Sequence, residues 1–117
     1  MKTLRKKNTQ YKIKEILHSG SCGVRGTKRT DGRYPLRIGR TVDLDGTKII
    51  GDAPMIINYV CDTDGTSLKG MVLYTSHVIR ITVKVTEVTV ETENSICVFE
   101  RMWKNGELLW RGIGVWA

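Results

Sequence analysis

What the sequence lacks excludes several classes of protein. Its three cysteines include no C-x-x-C pair, which excludes a complete disulfide framework and a four-cysteine zinc site. No apolar run approaches the roughly 20 residues that cross a bilayer. The basic N-terminus is not followed by the apolar segment of a secretory signal. We therefore expect a cytoplasmic protein with no disulfides, no cofactor and no membrane partner.

The positive charge is unevenly distributed along the chain. Residues 1–40 contain twelve Lys and Arg against two acidic residues, whereas residues 41–117 contain seven against ten. Such an asymmetry raises the rate of encounter with polyanions and acidic partners. The alternative is that these charges only keep a small protein in solution.

The densest run of β-branched residues, 78–99, predicts a three-stranded antiparallel meander. Its first strand alternates apolar and polar residues, which indicates one apolar face and one solvated face. The apolar positions are Ile79, Ile81, Val83 and Val85. The parity of the pattern changes at residues 86–87, where we expect a tight turn or a bulge. A second turn is predicted over residues 92–95.

Other apolar segments predict further short strands. We expect them over residues 11–17, 34–44, 55–61 and 70–75, with a turn at residues 75–77. In the strand over 34–44, Pro35 suits the start, and one face would carry Leu36, Ile38, Val42 and Leu44.

These elements predict an all-β fold. Six to eight short antiparallel strands and at most one short helix are typical of a small barrel or sandwich, SH3-like or related. We expect one domain over residues 11–117, preceded by a basic, flexible arm over residues 1–10.

The segment 19–33 is the most unusual, because it interleaves four glycines with four basic residues. Glycines let backbone N–H groups approach an anion, and guanidinium groups can bind phosphate through two hydrogen bonds. The spacing matches neither of the common nucleotide-binding glycine motifs. We therefore predict a general contact with phosphate or an acidic surface, or else a solvated connector. The candidate site residues are Arg25, Lys28, Arg29, Arg33, Arg37 and Arg40.

Two Asp-x-Asp-Gly segments, at residues 43–46 and 62–65, invite a calcium or carboxylate-catalysis interpretation. A calcium loop of the EF-hand type needs further oxygen ligands and a late Glu. Asp-Gly after an apolar run is far more often a β-turn. We expect turns, and we predict no catalytic and no metal-binding residue.

The C-terminal residues predict a hairpin around Asn105-Gly106. A two-residue turn would place Glu100 opposite Arg111. Trp103 and Trp110 are candidates for a protein interface, although three tryptophans in a small domain more often close the end of a core.

The stretch Leu73-Tyr-Thr-Ser-His-Val78, followed by Val90-Glu-Thr-Glu-Asn-Ser-Ile-Cys97, resembles a pattern in short β-rich proteins of phages and mobile elements of Firmicutes. Those proteins carry a Thr-Ser-x-Val turn and then a Thr-x-Asn-Ser-x-Tyr strand. Here Cys97 stands where they usually have an aromatic residue. The resemblance implies an accessory protein that binds host nucleic acid or host defence complexes, and it assigns no functional residue.

Three functions remain open at this point. The leading hypothesis is a non-enzymatic binding module that contacts nucleic acid or a host nucleoprotein through its basic face. The second is a protein–protein module, either an anti-CRISPR-like inhibitor or a homo-oligomer, that uses a strand edge or the tryptophan hairpin. The third is a metal-dependent nuclease that uses Asp43, Asp45, Asp62 or Asp64.

Overall fold

A computed structural model of the chain describes residues 10–44, 49 and 51–102. In chain order, the elements are β1 (Gln10–His18), α1 (Tyr34–Arg37), β2 (Thr41–Asp43), β3 (Pro54–Cys61), β4 (Val72–Val83), β5 (Glu87–Thr92) and β6 (Ser95–Arg101). Each strand pairs antiparallel with the next, and β6 pairs with β1, so the sheet closes into a barrel. The predicted all-β fold with at most one short helix is therefore confirmed.

The interior of the barrel is filled by alternate residues of its strands, as the two-residue period of a strand requires. Burying each large apolar side chain stabilises the fold by roughly 1.5–3 kcal/mol. The largest fully buried apolar side chains are Phe99, Ile13, Met55, Ile57, Val42, Val78 and Val90.

A β-bulge interrupts the alternation of inward and outward side chains along β1. The pairing of β1 with β6 shifts register between Ile13 and Glu15. Tyr11 and Ile13 are buried before the shift, and Ile16 is buried after it. One extra residue reverses which positions point inward. The predicted strand is confirmed, although no single period describes it.

The predicted strand over residues 34–44 is wrong in its first half, which forms α1. Pro35 lies in the first turn of this helix. Proline suits that position because its fixed φ is helical and because an N–H there would have no helical partner. Leu36 and Ile38 are consequently exposed. The other two residues predicted on that face are buried, namely Val42 and Leu44.

β4 is longer than the sequence predicts, because it continues through residues 75–77. The turn predicted there is wrong. Instead, the pairing of β4 shifts register twice, against β3 between Pro54 and Ile56 and against β5 between Val78 and Arg80. Such bulges bend a strand without ending it. The turns predicted near residues 86–87 and 92–95 are confirmed as the β4–β5 and β5–β6 connections.

The apolar face of the second half of β4 is exposed, contrary to what its alternation implies. The exposed fractions are 57% for Ile79, 38% for Ile81 and 67% for Val83, and Val85, in the turn that follows β4, is 70% exposed. Alternation indicates which residues share a face, but it does not say whether another layer covers that face.

Several predictions fall outside the described residues. They concern the arm up to residue 9, the turn at residues 45–46, and the hairpin with Trp103 and Trp110. The predicted partner of Glu100, Arg111, also lies outside the described residues, and both edges of β6 are occupied at Glu100. Its partners are Lys12 of β1 and Glu87 of β5.

Across the described ranges, no helix has the length and the apolar character that a membrane span requires.

Candidate basic interface

Arg29 anchors the glycine-rich segment 19–33 to the barrel. Its side chain is buried, and Nη1 donates hydrogen bonds of 3.0 Å to the Asn94 carbonyl and to Ser95 Oγ at the start of β6. Its Nε and Nη2 donate to the two carboxylate oxygens of Asp31. This hydrogen-bonded pair lowers the pKa of Asp31 and raises the pKa of Arg29.

The backbone of the same segment is tied to β1. The Arg29 N–H donates to the Ile16 carbonyl at 2.9 Å, and the His18 N–H donates to the Thr27 carbonyl at 2.8 Å. Gly23 lies so close to His18 that a Cβ at this position would come within 2.6 Å of the imidazole ring. The segment is therefore fixed by backbone and side-chain contacts rather than being a loose connector.

Arg25 forms a bidentate ion pair with Glu91 on β5. Nη1 lies 2.5 Å from Oε2, and Nη2 lies 2.9 Å from Oε1. The hydrogen bonds from Arg25 hold the pKa of Glu91 below its usual range, and burial opposes this only in part. Nη1 of Arg25 also donates to the Ser19 carbonyl at 3.1 Å. Arg25 thus connects the tip of the segment to the barrel wall.

Arg37 projects from α1 beside an aromatic ring. Its guanidinium carbon lies 4.8 Å from the centroid of the Tyr34 ring, and that of Arg29 lies 4.0 Å from it. Cations this close to an aromatic face are attracted to its electron density. Tyr34 therefore brings the guanidinium groups of Arg29 and Arg37 to the same place.

Arg40 is held at a different point of the barrel. Its Nε lies 3.5 Å from the Asp62 carboxylate, and its guanidinium carbon lies 5.0 Å from the centroid of the Tyr59 ring. Asp62 begins the second Asp-x-Asp-Gly segment, so this contact attaches Arg40 to the β3–β4 connection.

The six predicted site residues therefore divide into two groups. Arg25, Arg29 and Arg40 pair with carboxylates of the barrel and its loops. Lys28, Arg33 and Arg37 form no ion pair with any acidic residue in the part of the chain that the structure describes. Lys28 and Arg33 are exposed, and Arg37 is half-buried.

The second Asp-x-Asp-Gly segment forms the β-turn that the sequence predicts. The Gly65 N–H donates to the Asp62 carbonyl at 3.0 Å, and the Thr66 N–H donates to the Asp64 carboxylate at 2.9 Å. Hydrogen bonds from the side chain and from the backbone N–H of Thr66 lower the pKa of Asp64. Within residues 10–44, 49 and 51–102, no three His, Cys, Asp or Glu side chains come together as metal ligands.

A cavity of about 190 Å³ lies between α1 and the barrel interior, and Arg37 is part of its lining. Its polar wall is linked internally, because Ser76 Oγ lies 2.9 Å from Thr92 Oγ1 and the Ser95 N–H donates to Thr92 Oγ1 at 3.1 Å. Its apolar wall includes Cys97, and burial raises the pKa of this thiol to about 12.

Sequence reasoning did not find the partners of the basic residues. Glu91 lies 66 residues from Arg25 in the chain, and Ser95 lies 66 residues from Arg29. No local pattern signals such pairs, which depend on the closure of the barrel. Searches of protein-family models, curated proteins and solved structures found no match to this chain.

Proposed function

We propose that the protein is a non-enzymatic binding module for nucleic acid, free or within a nucleoprotein. Its contact surface is the basic segment, defined as residues 28–37. One observation carries the proposal: Lys28, Arg33 and Arg37 share this short segment and lack acidic partners among the described residues. Guanidinium and ammonium groups without internal partners are suited to phosphate oxygens.

The anchoring of the basic segment supports this proposal on energetic grounds. Arg29 fixes the segment to β6, and α1 holds Arg37 beside Tyr34. A surface that is ordered before binding loses less conformational entropy on binding than a mobile loop does. The paired arginines thus hold the unpaired cations in place.

The rest of the sequence is consistent with the same partner. Residues 1–9 add four basic residues and no acidic one. These charges add to the electrostatic attraction of the chain for a polyanion. The resemblance of residues 73–78 and 90–97 to proteins of phages and mobile elements implies a target in the host, either nucleic acid or a defence complex.

The proposal is tested by titrating nuclease-treated protein against labelled DNA and RNA at low and at physiological salt. Binding to phosphates releases counterions, so the affinity should fall steeply as salt rises, with a slope of about 0.9 per phosphate contact on duplex DNA. The variant Lys28→Glu/Arg33→Glu should bind more weakly and show a smaller slope.

A matched control separates a local contact from the effect of net charge. Lys69 and Lys84 are exposed residues outside the basic segment, and Lys69→Glu/Lys84→Glu changes the net charge by the same amount. This control should retain most of the affinity. An absence of binding at low salt, or an equal loss in both double variants, would refute the proposed surface.

A further inference from the structure

The second half of β4 presents an apolar surface on the inward side of the sheet. Ile81 lies opposite Val90 of β5, and Val83 lies opposite Val88. Directly opposed residues of antiparallel strands project from the same face of the sheet. Val88 and Val90 are buried, with exposed fractions of 7% and 0%, whereas Ile81 and Val83 are exposed. The inward face of the sheet is thus buried at β5 and exposed at the end of β4.

The same stretch of β4 has a backbone edge that no other described residue pairs with. The pairing of β3 with β4 ends at Pro54 and His77, and the last hydrogen bonds on that side join Val78 to Ala53 and Asp52. Among the described strands, none pairs with residues 79–83 on this edge. An open edge beside exposed β-branched side chains favours the pairing of a further segment.

The chain leaves the described structure beside this surface. The Arg101 N–H donates to the carbonyl of Thr86, in the β4–β5 turn, at 2.8 Å, and the Met102 N–H donates to the Gln10 carbonyl at 3.1 Å. The described part of the chain therefore ends next to the turn that follows the exposed strand. Both edges of β6 are already occupied at Glu100, by Lys12 of β1 and Glu87 of β5.

The C-terminal segment, residues 103–117, is rich in large apolar residues of the kind that pack on an apolar surface. Seven of its fifteen residues are large and apolar, namely Trp103, Leu108, Leu109, Trp110, Ile113, Val115 and Trp116. Fifteen residues can extend to about 50 Å. The surface from residue 79 to residue 85 is only about 20 Å long. The C-terminal segment can therefore turn and run along all of it.

We propose that the C-terminal segment folds back from Met102 and covers the inward face of the second half of β4, packing its tryptophans on Ile81 and Val83. Its occupant is thus the chain itself, because Arg101, next to the last described residue, is hydrogen-bonded to the turn that follows β4. This contact would complete the core that the alternation of residues 79–85 indicates.

The tryptophans provide a direct test, because all three lie in the C-terminal segment. In the full-length protein we expect blue-shifted tryptophan emission and weak quenching by acrylamide, both independent of protein concentration. The variant Ile81→Ser/Val83→Ser should shift the emission to the red and increase the quenching. Circular dichroism should show that the barrel is retained, since Ile81 and Val83 are exposed in the described structure.

The matched control is Val24→Ser/Leu36→Ser, which removes two exposed apolar residues away from β4 and should leave the emission unchanged. Emission typical of solvated tryptophan in the unaltered protein would overturn the proposal. It would also fail if Ile81→Ser/Val83→Ser had no effect on the emission. A blue shift that develops only with rising concentration, together with a dimer mass, would show instead that a second copy covers β4.

Discussion

Among single residues, Gly39 shows how closely the barrel and its connections are fitted. It has a φ of 90°, and its N–H donates to the Ile13 carbonyl at 2.7 Å. A Cβ at this position would lie 2.8 Å from Cγ2 of Thr63, whereas Gly70, with a φ of 91°, has open space around it. The two glycines share the same backbone requirement and differ in steric contact.

Substituting these two glycines separates backbone strain from steric overlap. Gly70→Ala should lower the free energy of unfolding by about 1 kcal/mol, because a side chain disfavours positive φ. Gly39→Ala should lower it further, because the new methyl group also meets Thr63. Urea denaturation measures both effects, and Thr63→Ser should recover part of the excess loss. Equal losses in the two alanine variants would contradict a role for Thr63.

Arg29 illustrates why the chemical type of a buried cation matters. Its planar guanidinium donates to Asp31, Asn94 and Ser95 at once, and a lysine ammonium cannot reproduce that fork. Arg29→Lys should therefore lower the free energy of unfolding by roughly 1.5–3 kcal/mol and speed the amide hydrogen exchange of residues 19–33. Arg33 is exposed, so Arg33→Lys serves as the control and should change neither the free energy of unfolding nor the rate of amide exchange. Unchanged exchange in Arg29→Lys would show that other contacts order the segment.

Between elements, the Arg25–Glu91 pair joins the glycine-rich segment to β5 and makes stability depend on pH. Because Arg25 lowers the pKa of Glu91 in the folded state, the ionised carboxylate stabilises the fold fully above its unfolded pKa of about 4.3. That stability is lost as the pH falls through the lower, folded pKa. Asp31, whose pKa is lowered by Arg29, acts in the same direction.

Glu91→Gln should accordingly lower the urea midpoint at pH 7, and its difference from the unaltered protein should shrink below about pH 4. Glu93→Gln removes an exposed carboxylate two residues away and should have a small effect at pH 7. If the difference in urea midpoint between Glu91→Gln and the unaltered protein stayed constant down to pH 3, the carboxylate of Glu91 would not be its source.

The elements also show which features a sequence can predict. Alternation and turn residues located the strands, since both signals are local. The helix α1 was missed because Pro35 suits a strand start as well as a first helical turn. The exposed face of β4 was missed because a pattern of apolar residues does not record what lies across from it.

The candidate site was predictable to a smaller extent, for a related reason. The basic residues can be counted along the chain, but their pairing depends on acids brought close by the closed barrel. Arg25 and Arg40 are paired across the structure with Glu91 and Asp62, whereas Lys28 and Arg33 are not paired with any described acid. Sequence alone therefore predicts that the surface is positively charged, but it does not predict which of the basic residues lack an acidic partner among the described residues.

At the scale of the whole molecule, the three cysteines differ in burial, so their reaction with a thiol reagent shows how far the barrel has opened. Cys22 is exposed, Cys61 is half-buried and Cys97 is buried in the core. The thiolate is the reactive form of cysteine, and burial raises the pKa of Cys97 to about 12. At pH 8 a thiol reagent should therefore modify Cys22 first and reach Cys97 only when the barrel opens.

This order makes Cys97 a probe of global stability in a Cys22→Ser/Cys61→Ser background. Val90 is fully buried, and Val90→Ala should lower the free energy of unfolding by about 2 kcal/mol. When opening is fast relative to modification, the rate follows the population of the open state, so it should rise roughly thirtyfold, at tenfold per 1.4 kcal/mol. If the rate in Val90→Ala were unchanged while urea denaturation showed the loss of stability, Cys97 would be reached by local separation of β6 from its neighbours. The pairing of β6 with β1 or with β5 would then open before the rest of the barrel.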